Sequence, residues 1–306
     1  MNTHKLLRYS SVYIVLGCTL LLTACNNDEL NPTDNGPIVA QITANIENSA
    51  VSRAAGTAWE TGDGIGITTA NNGTKNYTNI KYTAGSTTGN FTGAPIYFQD
   101  SQTTVTFTAY YPFNGTEGTA PGILENNTKI DNQQTSGPQS AQSKIDYLFA
   151  SATGNNGNPT VTFNFAHKMS QVTLTFQNGK DTDISSLTAY SIEGLKMEGT
   201  FNTATGEAKA KDGSSPETLA INVSSAASGT ALPSLILYPQ AATDVTLKIT
   251  LNGQPYNCKL VFKDSQLASG NNYLFTITVN KNEMKVQSSS ITSWTPQTGS
   301  GSASMG

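Results

Sequence analysis

Along most of this chain apolar and polar residues alternate one by one, the spacing that puts every second side chain on one face of a β-strand. Ile38, Ala40, Ile42, Ala44 and Ile46 alternate with Gln41, Thr43, Asn45 and Glu47. The same period runs through Val105 to Tyr111, Val161 to Phe165, Val172 to Phe176, Leu219 to Val223, Val245 to Leu251 and Tyr273 to Val279. Turn-forming runs separate these segments, among them Asn71-Asn72-Gly73, Gly154-Asn155-Asn156-Gly157-Asn158-Pro159, Lys211-Asp212-Gly213 and Asn252-Gly253,. Only Ser140 to Phe149 has a spacing that suits a short helix. Many short strands between turns predict an all-β chain of β-sandwiches. The Gly/Asn/Pro run is the expected joint, giving domains at 37–159 and 160–297 to within about ten residues, with a disordered Gly/Ser tail at 298–306,.

The first 36 residues break the pattern. A basic start with His4, Lys5 and Arg8 leads into an apolar run from Val12 to Leu22, and small residues Thr23 and Ala24 precede Cys25. That order is the one a secretion signal needs. The apolar run falls short of the ~20 residues that span a bilayer as a helix. Residues 1–24 are therefore read as a removable signal peptide. Leu22-Thr23-Ala24-Cys25 resembles the bacterial lipobox, which implies that the Cys25 thiol takes a diacylglycerol and becomes the acylated first residue,. Residues 25–36 are then a tether, and two or three acyl chains anchor a protein on a membrane,. The acidic pair Asp28-Glu29 in that tether resembles the signal that exports lipoproteins of the Bacteroidetes to the cell surface.

Composition narrows the chemistry. Charged residues make up only 12% of the chain, about half the globular average, so Asn, Thr, Ser and Gln must supply the polar surface. The net charge of -4 is mild, and no basic patch suggests nucleic acid. Of three cysteines, Cys18 leaves with the signal and Cys25 is acylated, so Cys258 is alone and is read as a small packed residue,. After the signal peptide there is one histidine, His167, read as a structural hydrogen-bonding group rather than a catalytic base,. Gly62-Asp63-Gly64-Ile65-Gly66 is followed by strand-like residues and not a helix, so it is a turn rather than a phosphate loop,. Asp181-Thr182-Asp183 lacks the further ligands of a calcium loop,. Trp59 and Trp294 are expected to pack rather than to stack on a sugar,. No catalytic, metal or cofactor-binding residues emerge, and the chain is read as a non-enzyme.

Several segments together resemble the fimbrillin family of the Bacteroidetes, the subunits and accessory proteins of type V pili. They are Ser52-Arg53-Ala54 through Thr57-Ala58-Trp59-Glu60-Thr61-Gly62-Asp63-Gly64-Ile65-Gly66, Phe107 to Phe113, Asp146 to Ala150, Phe163 to Val172, Leu235 to Gln240, and Tyr273 to Ile277 running on to Ile291-Thr292-Ser293-Trp294. The resemblance implies two transthyretin-like β-sandwich domains, export as a lipoprotein, and proteolysis at an arginine after the first strand. It further implies that the vacated groove accepts a strand from another subunit, since an open sheet edge pairs with an extended segment. Arg53 is the one arginine after the signal peptide, in a small-residue stretch behind the strand Ile38 to Ile46,. It is the expected processing site. Met284 and Val286, leading to Ile291 and Trp294, form a candidate donor segment. Expected partners are other pilin subunits, the outer membrane through the lipid, and a receptor on a host or bacterial surface. Rival readings are a surface glycan-binding lipoprotein and an anchor or accessory subunit that keeps its lipid.

Overall fold

The computed structural model describes residues 37–47, 59–85, 89–133, 141–224 and 226–294. Among these residues the regular elements are β-strands and four short 3-10 turns. The first strands in chain order are β1 (Gln41–Ile46), β2 (Gly64–Ala70), β3 (Ile80–Ala84), β4 (Phe91–Gly93), β5 (Val105–Tyr111), β6 (Ile123–Asn127), β7 (Leu148–Gly154) and β8 (Thr160–His167). All but β6 form one seven-stranded sheet in the order β1-β8-β7-β5-β2-β3-β4. The alternation seen in the sequence is the cause: Val105, Phe107 and Ala109, like Val161, Phe163 and Phe165, point into one core with Ile65, Ile67, Phe91, Ile96 and Phe98. Each inward side chain of this size stabilises the fold by ~1.5–3 kcal/mol relative to exposure.

The chain continues through β9 (Ser170–Asn178), β10 (Ala189–Leu195), β11 (Glu198–Asn202), β12 (Ala208–Ala210), β13 (Glu217–Asn222), β14 (Leu235–Leu237) and β15 (Gln240–Ala241). It ends with β16 (Val245–Leu251), β17 (Gln254–Leu260), β18 (Gln266–Leu267), β19 (Asn271–Asn280) and β20 (Glu283–Ser293). Two four-stranded sheets, β13-β10-β16-β17 and β14-β9-β19-β20, enclose a second core around Leu174, Phe176, Ile192, Leu247, Phe275 and Ile277. A three-stranded sheet, β12-β11-β6, and the pair β15-β18 complete the fold. Because β6 pairs with β11, Ile123 to Asn127 against Asn202 to Glu198, the halves of the chain are stitched together by main-chain bonds. A third apolar cluster, with Tyr110, Tyr147, Phe201, Ile236, Tyr238 and Trp294, takes residues from both.

The turns follow their residues. Asn252 and Gly253 have φ of 52° and 77°, the left-handed pair that closes the β16–β17 hairpin,. Gly154 to Pro159 forms the turn between β7 and β8, with Asn155 and Asn158 exchanging main-chain hydrogen bonds of 3.2 and 3.1 Å. The first core extends to Phe165 and the second starts at Val172, so the chain changes core between those residues. Where a short helix was expected over Ser140–Phe149, the described residues show a 3-10 turn at Ala141–Lys144 followed by β7 from Leu148. Leu148 and Ala150 are buried on the inward face of β7, and this strand burial overrides the weak helical spacing,.

Candidate functional site: the first strand and its slot

The strand β1 closes the seven-stranded sheet. On one side it runs parallel to β8, in register from Gln41 opposite Thr160 to Ile46 opposite Phe165. On the other side it meets the segment around β4 in an antiparallel sense, through bridges of Val39 to Tyr97 and Thr43 to Asn90. The Ala40 N–H donates to the Ile96 carbonyl at 2.8 Å, and the Ala44 N–H to the Gly89 carbonyl at 2.9 Å. Ala40, Ile42 and Ala44 are buried in the first core, while Thr43 and Asn45 face outward and meet Thr162 and Asn164 at 2.9 and 3.3 Å. The inward face runs small, large, small, and the slot is tight at its Ala44 end.

Two residues shape that slot. Trp59 is 3% exposed and its ring is caged edge-on by Phe91, Phe165 and Tyr111, with centroids 5.0, 5.3 and 5.5 Å away. Its indole N–H donates to the Ala44 carbonyl at 2.8 Å, so the tryptophan expected only to pack also holds β1 by a directed bond,. Gly89 has a φ of +76°, and a Cβ there would lie 2.3 Å from the Ala44 oxygen. Only glycine lets the wall come this close to β1.

The C-terminal strand β20 is the other edge element of interest. It pairs with β19 from Glu283 opposite Asn280 to Ser293 opposite Asn271. Met284 is buried and Val286 half-buried, but every residue from Gln287 to Thr292 is exposed. Trp294, just beyond the strand, is buried again.

His167, at the end of β8, is buried with Asp146, and its Nδ1 lies 2.8 Å from the Asp146 carboxylate. The imidazole stacks on the Trp294 ring at 4.1 Å. Sequence reasoning missed the two partners of His167, which lie 21 residues upstream and near the end of the chain. Cys258 packs against the second core, where burial pushes its thiol up to about 11. Gly62, with φ of +98°, leads into β2 as expected of a turn. Asp63 accepts from the Glu60 N–H at 2.8 Å and from the Tyr111 hydroxyl at 3.1 Å; burial raises its carboxyl, and the Glu60 N–H offsets this in part. Beside it is a polar hollow of about 230 Å³ lined by Glu60, Lys81, Phe113 and Lys144 among others. Asp183 caps the 3-10 turn at Ile184–Ser186 by accepting from the Ser185 N–H, a solvated-turn role.

Among the described residues no group of three or more His, Cys, Asp or Glu is placed to hold a metal, and no helix is long and apolar enough to cross a membrane. Cys25, Arg53, the signal and tether at 1–36 and the tail at 298–306 lie outside the described residues.

Residues 52–294 match the model of the fimbrillin-like family, and the chain belongs to that family. It is 28% identical to the protein named "Putative fimbrium subunit Fim1C" of Bacteroides uniformis, over 96% of this chain and 98% of that one. A solved structure described as a "putative cell adhesion protein" from Bacteroides ovatus superposes with a TM-score of 0.70 at 28% identity, covering 85% of this chain and 98% of the other. A similarly described protein from Bacteroides uniformis gives 0.67 at 27% identity, covering 86% and 99%. The family carries fimbrial and cell-adhesion proteins, and membership implies a place at the cell surface.

Proposed function

We propose that this protein is a structural subunit of a pilus, or a cell-surface adhesin, that assembles by exchanging its first strand for one from a neighbouring subunit. The observation that carries this reading is the seating of β1. It is flanked on both sides by main-chain hydrogen bonds, and three alternate side chains fill the core. Its removal leaves an apolar slot between two unpaired edges, the template that another extended strand fills. In this reading Cys25 carries the lipid that delivers the precursor to the outer surface of the outer membrane. Cleavage after Arg53 then frees lipid and strand together. The two-domain, transthyretin-like organisation belongs to the same proposal, with the joint between Phe165 and Val172, where the chain changes core.

The donor segment matches the slot. Ser289-Ser290-Ile291-Thr292-Ser293 repeats the order of Ala40-Gln41-Ile42-Thr43-Ala44: small, polar, isoleucine, threonine, small. Ile291 is 37% exposed at home, so it has apolar area to bury elsewhere,. A strand from a second copy thus supplies the inward face that β1 supplies here. The partners are other pilin subunits, and the role is non-enzymatic.

The test is to treat purified precursor with a trypsin-like protease and to run the product on denaturing gels without boiling. A ladder of polymers with a new amino terminus at Ala54 is expected. Mature protein in assembled pili that still begins at Cys25 overturns the processing step, and a cleaved protein that stays monomeric overturns strand exchange.

A further inference from the structure

The strand β20 is long, yet little fastens it. Between Thr276 and Ile277 of β19 the register slips by one residue, so that Gln287 bulges out, and from Gln287 to Thr292 neither face is covered. That stretch is secured by main-chain bonds to β19, with β17 alongside the strand, and water competes for such bonds. Side-chain burial returns only at Trp294, 6% exposed, whose N–H donates to the Gly270 carbonyl at 2.7 Å.

Trp294 is seated on the first half of the molecule. Its ring lies at 6° to the His167 imidazole with centroids 4.1 Å apart. The imidazole is fixed from its edge by Asp146, at 2.8 Å from Nδ1, and the Asp146 N–H donates to the Gln142 carbonyl at 2.9 Å. With Nδ1 engaged by the carboxylate, the other nitrogen, Nε2, is buried without a hydrogen-bond partner. A buried polar atom without a partner carries a desolvation cost. The closed Trp294 stack therefore bears that cost, and opening relieves it by letting water reach Nε2, so the closure can be released. The His167 side is also the side that β1 supports. His167 lies two residues beyond Phe165, whose carbonyl accepts from the Glu47 N–H at 2.8 Å at the end of β1.

We infer that the stack of Trp294 on His167, itself held by Asp146, is a latch that keeps the C-terminal strand on its own subunit while β1 is seated. It rests on the reading of β20 as the donor strand, and it adds the device that keeps donor and slot from acting before the first strand is lost. While β1 lies along β8, the His167 platform is rigid and Trp294 stays down. When β1 leaves, the end of β8 keeps its pairing with β7 but loses its neighbour on the other side, the stack loosens, and the exposed middle of β20 is left to its main-chain bonds with β19 and its flank along β17.

Hydrogen–deuterium exchange on the uncleaved chain tests this without requiring assembly. In Trp294→Ala, amides of residues 287–293 are expected to exchange at least tenfold faster than in the parent, while those of β16 and β17 keep their protection and report an intact second core. Trp294→Phe, which retains a ring on His167, should recover most of the difference. Ile42→Asp, which prevents β1 from seating, should loosen 287–293 to the same degree even though it lies in the other half of the chain. Unchanged protection of 287–293 in Trp294→Ala overturns the latch. Unchanged protection in Ile42→Asp, with β1 itself shown to be exchanging freely, overturns its dependence on β1. The outcome is separable from strand exchange: a chain that loosens β20 yet never forms a ladder keeps the latch and sinks the exchange reading, and a ladder formed while 287–293 stay protected does the opposite.

Discussion

β1 is a short strand that buries Ala40, Ile42 and Ala44 and is gripped along both edges, whereas β20 is nearly twice as long, is paired along one edge, and exposes everything from Gln287 to Thr292. One is held mainly by its side chains and the other mainly by its backbone. Apolar burial contributes ~25 cal/mol per Å² and is not lost to competing water, whereas a main-chain hydrogen bond at an exposed edge nets only ~1 kcal/mol. Length of pairing is therefore a poor guide to how firmly a strand is attached. β1 sits over the first core, whereas β20 from Gln287 to Thr292 covers none.

The contrast can be broken most directly at Ile42. A carboxylate there is buried without a partner, and Ile42→Asp is expected to destabilise the first core by ~4 kcal/mol, read by urea unfolding, with the second core's unfolding little changed. Next comes Gly89→Val, which forces a side chain onto the Ala44 oxygen at a left-handed position. A loss of ~2–3 kcal/mol and fast exchange of the β1 amides are expected. Trp59→Phe keeps an aromatic ring but deletes the bond to Ala44, and should cost ~1–2 kcal/mol with the same selective loosening of β1. Ile291→Ala tests the other strand: its stability effect should stay within ~0.5 kcal/mol, while the yield of protease-triggered polymers falls sharply. If the order of Ile42 and Ile291 were reversed in the unfolding data, the comparison would fail.

A further effect concerns pH and only the first half of the molecule. Burial raises the Asp63 carboxyl above its ordinary 3.8, so the folded state favours the protonated form. The stability this gives is complete below the unfolded value and is lost as pH rises through the raised folded value. Asp63→Asn does not ionise, so relative to the parent it should gain as pH goes from 4 to 7, by under ~1 kcal/mol because the site is partly solvated. Thermal melts across that range check it.

Much of the fold was legible because period-two alternation is a direct imprint of a half-buried sheet. The strands at Val105, Val161, Val245 and Tyr273 lie where the alternation put them, and the one expected from Ile38 to Ile46 runs from Gln41 to Ile46, with Ile38 exposed before it. Less legible was how the strands combine, since pairing depends on residues far apart in the chain. Gly154 to Pro159 has the composition of a linker, yet it turns β7 into β8 within one sheet, and turn chemistry is the same in both settings,. The same limit hid the slot: Gly89 reads as one glycine among many until the Ala44 carbonyl is set against it. Trp59, Asp146, His167 and Trp294 were each visible as residues, but the bond to Ala44 and the stack on His167 exist only in three dimensions.

The parallel pairing of β1 with β8 also sets an order in time. Thr43 meets Thr162, a partner 119 residues further along the chain. A ribosome delivers the amino terminus first, so β1 is complete long before its neighbour exists, and long-range pairing must wait for the intervening chain to collapse. Within the seven-stranded sheet, the earliest strand made is then the one whose neighbour β8 is made last. A segment that docks late is bound to an otherwise assembled sheet, and that is the condition in which it can leave again without dragging the rest of the molecule apart.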